Sequence, residues 1–206
     1  MVEPKQIRST KDLNGVVKTL LELAIKSCKD KGVTPLVVET VRTQERQYWL
    51  YGQGRTAAEL YKKHIPVKYA HSGNIVTKTT SSIHQLRCAV DVVPMRGGKA
   101  IWNASDKDSK ILIYTMTQFG FEAGANWVNF KDSPHFQIKL PYPEYNSVSQ
   151  TNTTKYLTTA IQQRLGIKPD GIWGRGTNEA VAFWRKDHGL SSTAVLYADN
   201  LKELFK

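Results

Sequence analysis

Two short stretches of the chain contain the residue types that bind a metal ion. In the first, His84 is followed by Asp91, which lies in an apolar, β-branched run. The second is the segment DSPHF, which contains Asp132 and His135. A catalytic zinc site needs about three protein ligands and one open position for water. Two histidines and one carboxylate suit zinc better than magnesium or calcium. A carboxylate in an apolar strand is also costly unless it is paired or liganded, so Asp91 favours a bound cation.

Other interpretations of the same residues stay open on spacing alone. A single histidine is usually a surface residue or a hydrogen-bonded core residue. Asp132, which stands before a Ser-Pro pair, is typical of a turn. Arg42, at the end of an apolar run, would form an ordinary ion pair with Glu39 or Glu45.

Short helices and strands are predicted around these residues. Apolar residues at spacings of three and four predict a helix over residues 13–28. A β-branched run predicts a strand at 36–41, and a polar helix follows at 44–51, before Gly52. Residues 62–82 are predicted to form a long loop, the kind that is usually functional or mobile. The apolar run at 89–93 predicts the strand that carries Asp91.

The next elements complete the predicted fold class. Ser105 is the expected N-cap of a helix that ends at Gly120. Strands are expected around Trp127 and at residues 136–138. This order predicts an α+β fold, with a small antiparallel sheet and helices packed against it.

The C-terminal quarter has a different pattern. Residues 144–153 follow a Pro-rich stretch, are rich in Ser, Thr, Asn and Gln, and predict a linker. It would join a catalytic domain at 1–143 to a small all-α domain at 154–206. That second domain is predicted to contain three short helices, with Thr177 capping the second.

The motifs resemble those of the M15 peptidases, which include D-alanyl-D-alanine carboxypeptidases and phage L-alanyl-D-glutamate endopeptidases. Residues 82–91, SIHQLRCAVD, resemble the family's Ser-x-His-x-x-Gly-x-Ala-x-Asp motif, and DSPHF resembles its Asp-x-Pro-His-Phe motif. Further similarity lies in VRTQERQ with LYGQGRT, at 41–47 and 50–56, and in GFE at 120–122 followed by Trp127. The motifs keep the family's order over roughly residues 12–140.

The resemblance implies a role for each matching residue. His84, Asp91 and His135 would be zinc ligands. Asp132 would be the general base, and Arg42 would lie close to the scissile carbonyl.

Gln47 and Ser82 are further candidates, by resemblance, for substrate contact. Two positions depart from the family pattern: Arg87 stands where Gly is usual, and Asn126 stands where Asp often precedes the tryptophan. Cys88 lies between two predicted ligands in the sequence, and we expect it to pack in the core instead of binding zinc.

The C-terminal segment resembles small three-helix peptidoglycan-binding domains. The matching residues are IQQRLG at 161–166, PDGIWG at 169–174, and the apolar positions of the helix that follows. The resemblance implies binding to the bacterial wall, with Trp173 as a candidate contact and Trp184 as a core residue.

Composition limits the remaining choices. The chain has 206 residues and a formal net charge of +11, which favours a polyanionic partner. No RNA-binding or helix-turn-helix pattern accompanies that charge, so we expect an anionic wall and no nucleic acid. No apolar run approaches the ~18 residues of a membrane helix, and no secretory signal is expected. The two cysteines are expected to stay reduced.

These observations together predict a zinc endopeptidase of the endolysin type, cutting the L-Ala–D-Glu bond of peptidoglycan stems. It would be a monomer that stays in the host cytoplasm until release and then acts at the wall. A D-Ala–D-Ala carboxypeptidase is the alternative within the class. A non-catalytic wall-binding or virion protein is the alternative outside it.

Overall fold

The computed structural model describes residues 2–206. Its helices are α1 (Gly15–Asp30), α2 (Gln44–Gly52), α3 (Ala57–Tyr61), α4 (Lys107–Gln118), α5 (Lys155–Arg164), α6 (Arg175–Asp187) and α7 (Ala198–Leu204). Its strands are β1 (Thr34–Glu39), β2 (Ala89–Arg96), β3 (Lys99–Ala100), β4 (Glu122–Ala123), β5 (His135–Gln137), β6 (Ser147–Val148) and β7 (Leu196–Tyr197). Among these residues, none of the helices combines the length and apolar character needed to cross a membrane.

A five-stranded antiparallel sheet forms the centre of the fold. Its order is β1-β2-β5-β4, and β3 pairs with β2. Helices α1 and α4 pack against this sheet and bury an apolar stripe that includes Leu20, Leu21 and Leu112. The predicted α+β class is confirmed.

Pairing within the sheet brings distant residues together. Asp91 on β2 lies opposite Glu39 of β1 on one side and opposite His135 of β5 on the other. The β1–β2 register shifts between Val37 and Glu39, a bulge of the kind that re-aims side chains next to functional sites. The sheet therefore places two carboxylates and one histidine side by side.

Three local predictions were wrong. β4 lies at Glu122–Ala123, and Trp127 follows a short 3₁₀ helix instead of lying in a strand. The N-cap of α4 is Asp106, not Ser105, because the Asp106 side chain accepts the Asp108 N–H. Thr177 lies inside α6, which begins after Gly174; its buried hydroxyl accepts a hydrogen bond from Gln162.

The C-terminal helices share a core with the rest of the chain. Side chains of α5, α6 and α7 belong to the same apolar cluster as those of α1 and α4. The rings of Phe119 and Phe205 are 5.6 Å apart. Within residues 144–153, β6 pairs with β7, and Asn146 accepts a hydrogen bond from the backbone of Gly15. This segment is thus packed and paired, and the division into two domains stays a prediction.

Candidate metal centre and active site

Three side chains converge to form a cluster of possible metal ligands. His84 Nε2 lies 3.2 Å from Asp91 Oδ1 and 3.2 Å from His135 Nδ1, and His135 Nδ1 lies 3.3 Å from Asp91 Oδ1. Their ligand atoms all fall within 4.8 Å of one another. His84 comes from a 3₁₀ turn at Ile83–Leu86, whereas Asp91 and His135 come from paired strands. The structure therefore assembles the ligand set expected from the motifs.

The outward-facing ring nitrogens of the two histidines have partners that suit metal binding. His84 Nδ1 lies 2.5 Å from the carbonyl oxygen of Thr40, so it carries the proton and leaves Nε2 free to coordinate. His135 Nε2 lies 3.1 Å from Gln137 Oε1, and Gln137 donates in turn to Glu122. Metal-binding histidines commonly use their second nitrogen in this way. The buried pair of imidazoles and the carboxylate fit a zinc ion in donor type and in number.

The electrostatics of the cluster favour a charged carboxylate. Burial raises the pKa of Asp91, but hydrogen bonds with His135 and His84 outweigh it and hold that pKa below its ordinary value. Burial lowers the pKa of His135, and its contact with Asp91 raises that pKa above normal. The carboxylate of Asp91 thus favours positive charge at the cluster, which a bound cation would supply.

Arg42 lies at the edge of this cluster. Its Nη2 is 3.4 Å from Asp91 Oδ2, its Nη1 donates to Gln47 Oε1 at 3.1 Å, and its Nε donates to Glu39 Oε2 at 2.9 Å. Arg42 also lines the adjacent groove. It is therefore positioned to meet charge that develops beside the metal ligands.

Gln47 has a different environment from the one predicted. It is fully buried behind Arg42, and its amide donates to the carbonyl of Thr79 at 2.7 Å. Its side chain is hydrogen-bonded to Arg42 and to the backbone of Thr79, and it does not line the groove. Ser82 does line the groove, although its hydroxyl also caps the turn that carries His84.

Asp132 is placed by a tight backbone contact. Its N–H donates to Gly124 O at 3.1 Å, and its carbonyl accepts the His135 N–H at 3.1 Å. A Cβ at Gly124 would collide with the Asp132 carbonyl, so glycine is required there. Burial, followed by the charge of Asp91, raises the pKa of the Asp132 carboxyl. A carboxylate with a raised pKa beside a metal site is suited to accept a proton.

A groove of about 800 Å³ runs past these residues. One wall is the 77–82 segment, and the other carries Trp127 and Phe130. The ammonium of Lys78 lies 5.5 Å from the centre of the Phe130 ring, so the two walls approach each other. Asp132, His135 and Arg42 all line this groove, which therefore has room for an extended ligand beside the metal cluster.

Three other residues flagged in the sequence lie outside the groove. Trp173 is only 6% exposed and donates its indole N–H to Asn178 at 2.7 Å, so it packs in the core instead of presenting a surface contact. Cys88 is 1% exposed and lies in the core, as expected. Arg87 has a φ of 64°, the left-handed conformation that explains why glycine is usual at this position.

Sequence reasoning named Glu39 only as a possible ion-pair partner of Arg42, a pair that the structure contains, and it missed Thr40. Glu39 is 2% exposed and Thr40 is fully buried. Neither residue was assigned a role in supporting the metal site. A carboxylate within an apolar strand was the available signal for Glu39, just as it was for Asp91. Thr40 contacts His84 through its backbone carbonyl, so its residue type could not indicate this role.

Comparisons with known proteins identify relatives of this chain. A family model described as D-alanyl-D-alanine carboxypeptidase, of the M15 peptidases, matches residues 76–138. The peptidoglycan L-alanyl-D-glutamate endopeptidase CwlK of Bacillus subtilis is 30% identical over 135 residues, which cover 62% of this chain and 74% of CwlK. The L-alanyl-D-glutamate peptidase of Listeria phage A118 is 32% identical over 147 residues, 68% of this chain and 44% of that protein. The crystal structure of the Serratia marcescens L-Ala D-Glu endopeptidase ChiX superposes with a TM-score of 0.45 and 22% identity, covering 68% of this chain and 92% of ChiX.

A groove beside a His-Asp-His cluster, on a small antiparallel sheet with packed helices, is an arrangement that suits a metallopeptidase. The chain belongs to the M15 family of zinc peptidases. This confirms the family and the metal expected from the motifs. The similarity of the C-terminal helices to a peptidoglycan-binding domain stays a prediction.

Proposed function

We propose that the protein is a zinc endopeptidase that hydrolyses the L-Ala–D-Glu bond in the peptide stems of bacterial peptidoglycan. The observation that carries the proposal is the convergence of His84, Asp91 and His135 beside a groove lined by Asp132 and Arg42. The substrate class follows from the relatives, whose names specify an L-alanyl-D-glutamate bond.

The residues of the site divide the chemistry between them. His84, Asp91 and His135 would hold the zinc ion, which when bound would lower the pKa of water and polarise a carbonyl. Asp132 accepts the proton of the attacking water and passes it to the departing amine. The guanidinium of Arg42 stabilises the negative charge that develops on the carbonyl oxygen, and it is held in place before the reaction begins.

The charge of the groove suits a stem peptide that carries carboxylates. Lys78 and Lys139 line the groove and are exposed to solvent. Among residues 2–206, neither amine lies within ion-pair distance of a carboxylate. Both are therefore available to an anionic ligand, and a D-glutamyl residue offers a carboxylate beside the scissile amide.

A D-Ala–D-Ala carboxypeptidase is the second candidate, favoured by the description of the matching family model. That reaction would use the same ligands and the same base. It would differ in releasing a single amino acid from the end of the stem.

The C-terminal helices would hold the enzyme on the wall polymer. Because Trp173 is buried, the contact would fall to exposed apolar side chains such as Ile172 and Phe183. The net charge of +11 favours an anionic wall. The phage relative supports the endolysin part of this proposal. Such an enzyme would act as a monomer, stay in the host cytoplasm until release, and then meet the wall.

Digestion of purified peptidoglycan, with and without a chelator, tests the proposal. Mass analysis should find new amino-terminal D-Glu and stems cut after L-Ala, with the activity lost on chelation and restored by zinc. Release of free D-Ala would assign the carboxypeptidase reaction. Wall binding without any cleavage would reject an enzymatic function.

A further inference from the structure

The first residues of the chain pack directly behind the metal cluster. In this N-terminal arm (residues 3–9), the carbonyl of Ile7 accepts the Thr40 N–H at 2.8 Å. The Thr40 hydroxyl donates to the carbonyl of Ser9 at 2.8 Å. Thr40 is fully buried, so the arm fixes the backbone at the end of β1.

That backbone holds a metal ligand. The carbonyl of Thr40 lies 2.5 Å from His84 Nδ1, and this contact sets both the tautomer and the orientation of the imidazole. A shift of Thr40 would therefore rotate His84 away from Asp91 and His135. The arm is thus linked to the metal cluster through a single buried residue.

A second connection leads from the arm to Arg42. Glu3 pairs with Arg46, which also donates to the carbonyl of Pro4 at 3.2 Å. Arg46 Nε donates to Glu39 Oε1 at 3.1 Å, and Glu39 Oε2 accepts from Arg42 Nε at 2.9 Å. Each carboxylate oxygen of Glu39 therefore has its own arginine.

The burial of Glu39 shows why this arrangement holds Arg42 firmly. Its side chain is about 3% exposed, and a buried carboxylate is stable only when it is paired and hydrogen-bonded. Glu39 also faces Asp91 across the two strands, and Arg42 lies between the two carboxylates. If Arg42 moved into solvent, the carboxylates of Glu39 and Asp91 would lose the positive charge between them and would repel each other.

We propose that Glu39 and the N-terminal arm are positioning elements of the active site, Glu39 for the guanidinium of Arg42 and the arm, through Thr40, for the imidazole of His84. The consequence for catalysis rests on the proposed peptidase function. The consequence for zinc binding does not, because it is measured without substrate.

Two nearly isosteric substitutions test the two connections one at a time. Glu39→Gln keeps the shape but removes the charge that orients Arg42, and kcat should fall at least about tenfold, while KM and zinc affinity change little. Thr40→Val removes the bond from the hydroxyl to the arm and should weaken zinc binding about fivefold, the ratio for one lost hydrogen bond. At saturating zinc, Thr40→Val should recover most of its kcat.

The measurements are zinc affinity by chelator competition, kcat and KM on soluble peptidoglycan fragments at saturating zinc, and the unfolding temperature of each full-length variant. Glu179→Gln, which breaks an exposed Glu–Arg pair on α6, is the matched control and should leave all of them unchanged. Glu39→Asp should recover part of the kcat lost in Glu39→Gln, because it restores the charge.

The opposite pattern would overturn the proposal. An unchanged kcat in Glu39→Gln would show that Arg42 needs no such support. Parallel losses of kcat, zinc affinity and unfolding temperature in both variants would show that the two connections only stabilise the fold. A wild-type protein without peptidase activity would refute the proposed function, and the zinc competition with Thr40→Val would still decide the role of the arm.

Discussion

Replacing Asp132 with Asn is the most direct test of the chemistry. The substitution keeps the volume of the side chain and removes its ability to accept a proton. The fold should be preserved, because the hydrogen bonds of residue 132 to Gly124 and His135 are made by its backbone. Zinc content should also be preserved, because Asp132 does not belong to the cluster of His84, Asp91 and His135.

The size of the effect follows from the role assigned to the carboxylate. A positioned general base contributes about 10²–10⁴-fold to the rate, which corresponds to roughly 3–5.5 kcal/mol of activation free energy. We therefore expect kcat/KM of Asp132→Asn to fall by two to four orders of magnitude. Burial and the charge of Asp91 raise the pKa of this carboxyl, which makes it a stronger base than an exposed aspartate.

The assay is the release of new amino termini from purified peptidoglycan, with bound zinc measured on the same samples. A loss of less than about tenfold with zinc intact would mean that another group accepts the proton. Loss of zinc together with activity would make Asp132 a ligand and refute the assignment of roles.

Three further predictions concern the surroundings of the site. Arg87→Gly should raise the free energy of unfolding by up to about 1 kcal/mol. Relief of the left-handed backbone should exceed the loss of two exposed contacts with Asp12, an ion pair and a hydrogen bond to its carbonyl. Lower stability in a denaturant titration would contradict this. Lys78→Ala and Lys139→Ala should each raise KM about two- to fivefold with little change in kcat, and the effect should shrink at high salt; a KM independent of both amines would mean that they do not contact substrate. Burial raises the pKa of Cys88 to about 11, so its thiol should stay protonated and unreactive towards a thiol reagent at pH 8 until the protein is unfolded.

The residues of the candidate site could be named from the sequence because they lie in short segments that resemble the M15 motifs. His84 and Asp91 flank one turn and one strand, and Asp132 and His135 share another turn. Spacing alone left their roles open, and the resemblance to the M15 motifs implied those roles. The pairing of β2 with β5 then brings Asp91 and His135 together.

Most supporting contacts could not be predicted, because they join distant segments. The exception is the pair of Glu39 with Arg42, which are three residues apart. Glu3 meets Arg46 across 43 positions of sequence, and no local pattern marks that pair. Trp173 followed a turn and was expected to be a wall contact, but packing of the C-terminal helices buries it. The sequence predicts a strand around Trp127, whereas its indole donates to Glu122 from a position just after a 3₁₀ helix.

The shared core makes a prediction about the two-domain division. Leu201 and Leu204 of helix α7, and Phe205 directly after it, belong to the cluster that also contains residues of α1. Phe205 lies against Phe119, and the guanidinium of Arg164 lies within 5.5 Å of both ring centres. Each buried Leu or Phe contributes about 1.5–3 kcal/mol, so these three side chains alone account for roughly 5–9 kcal/mol. That sum is comparable with the whole stability of a typical protein, about 5–15 kcal/mol.

A fragment ending at residue 143 should therefore be much less stable than the full chain, even though it retains every predicted zinc ligand. The loss of stability should be larger than removal of a linked but independent domain would cause. The apolar faces of α1 and α4, which the C-terminal helices cover in the full chain, would be exposed to solvent. The measurements are the unfolding temperature and zinc affinity of the fragment beside those of the full chain. A fragment that unfolds at the same temperature and binds zinc equally well would refute this reasoning and support a catalytic domain that folds independently of the helices behind it.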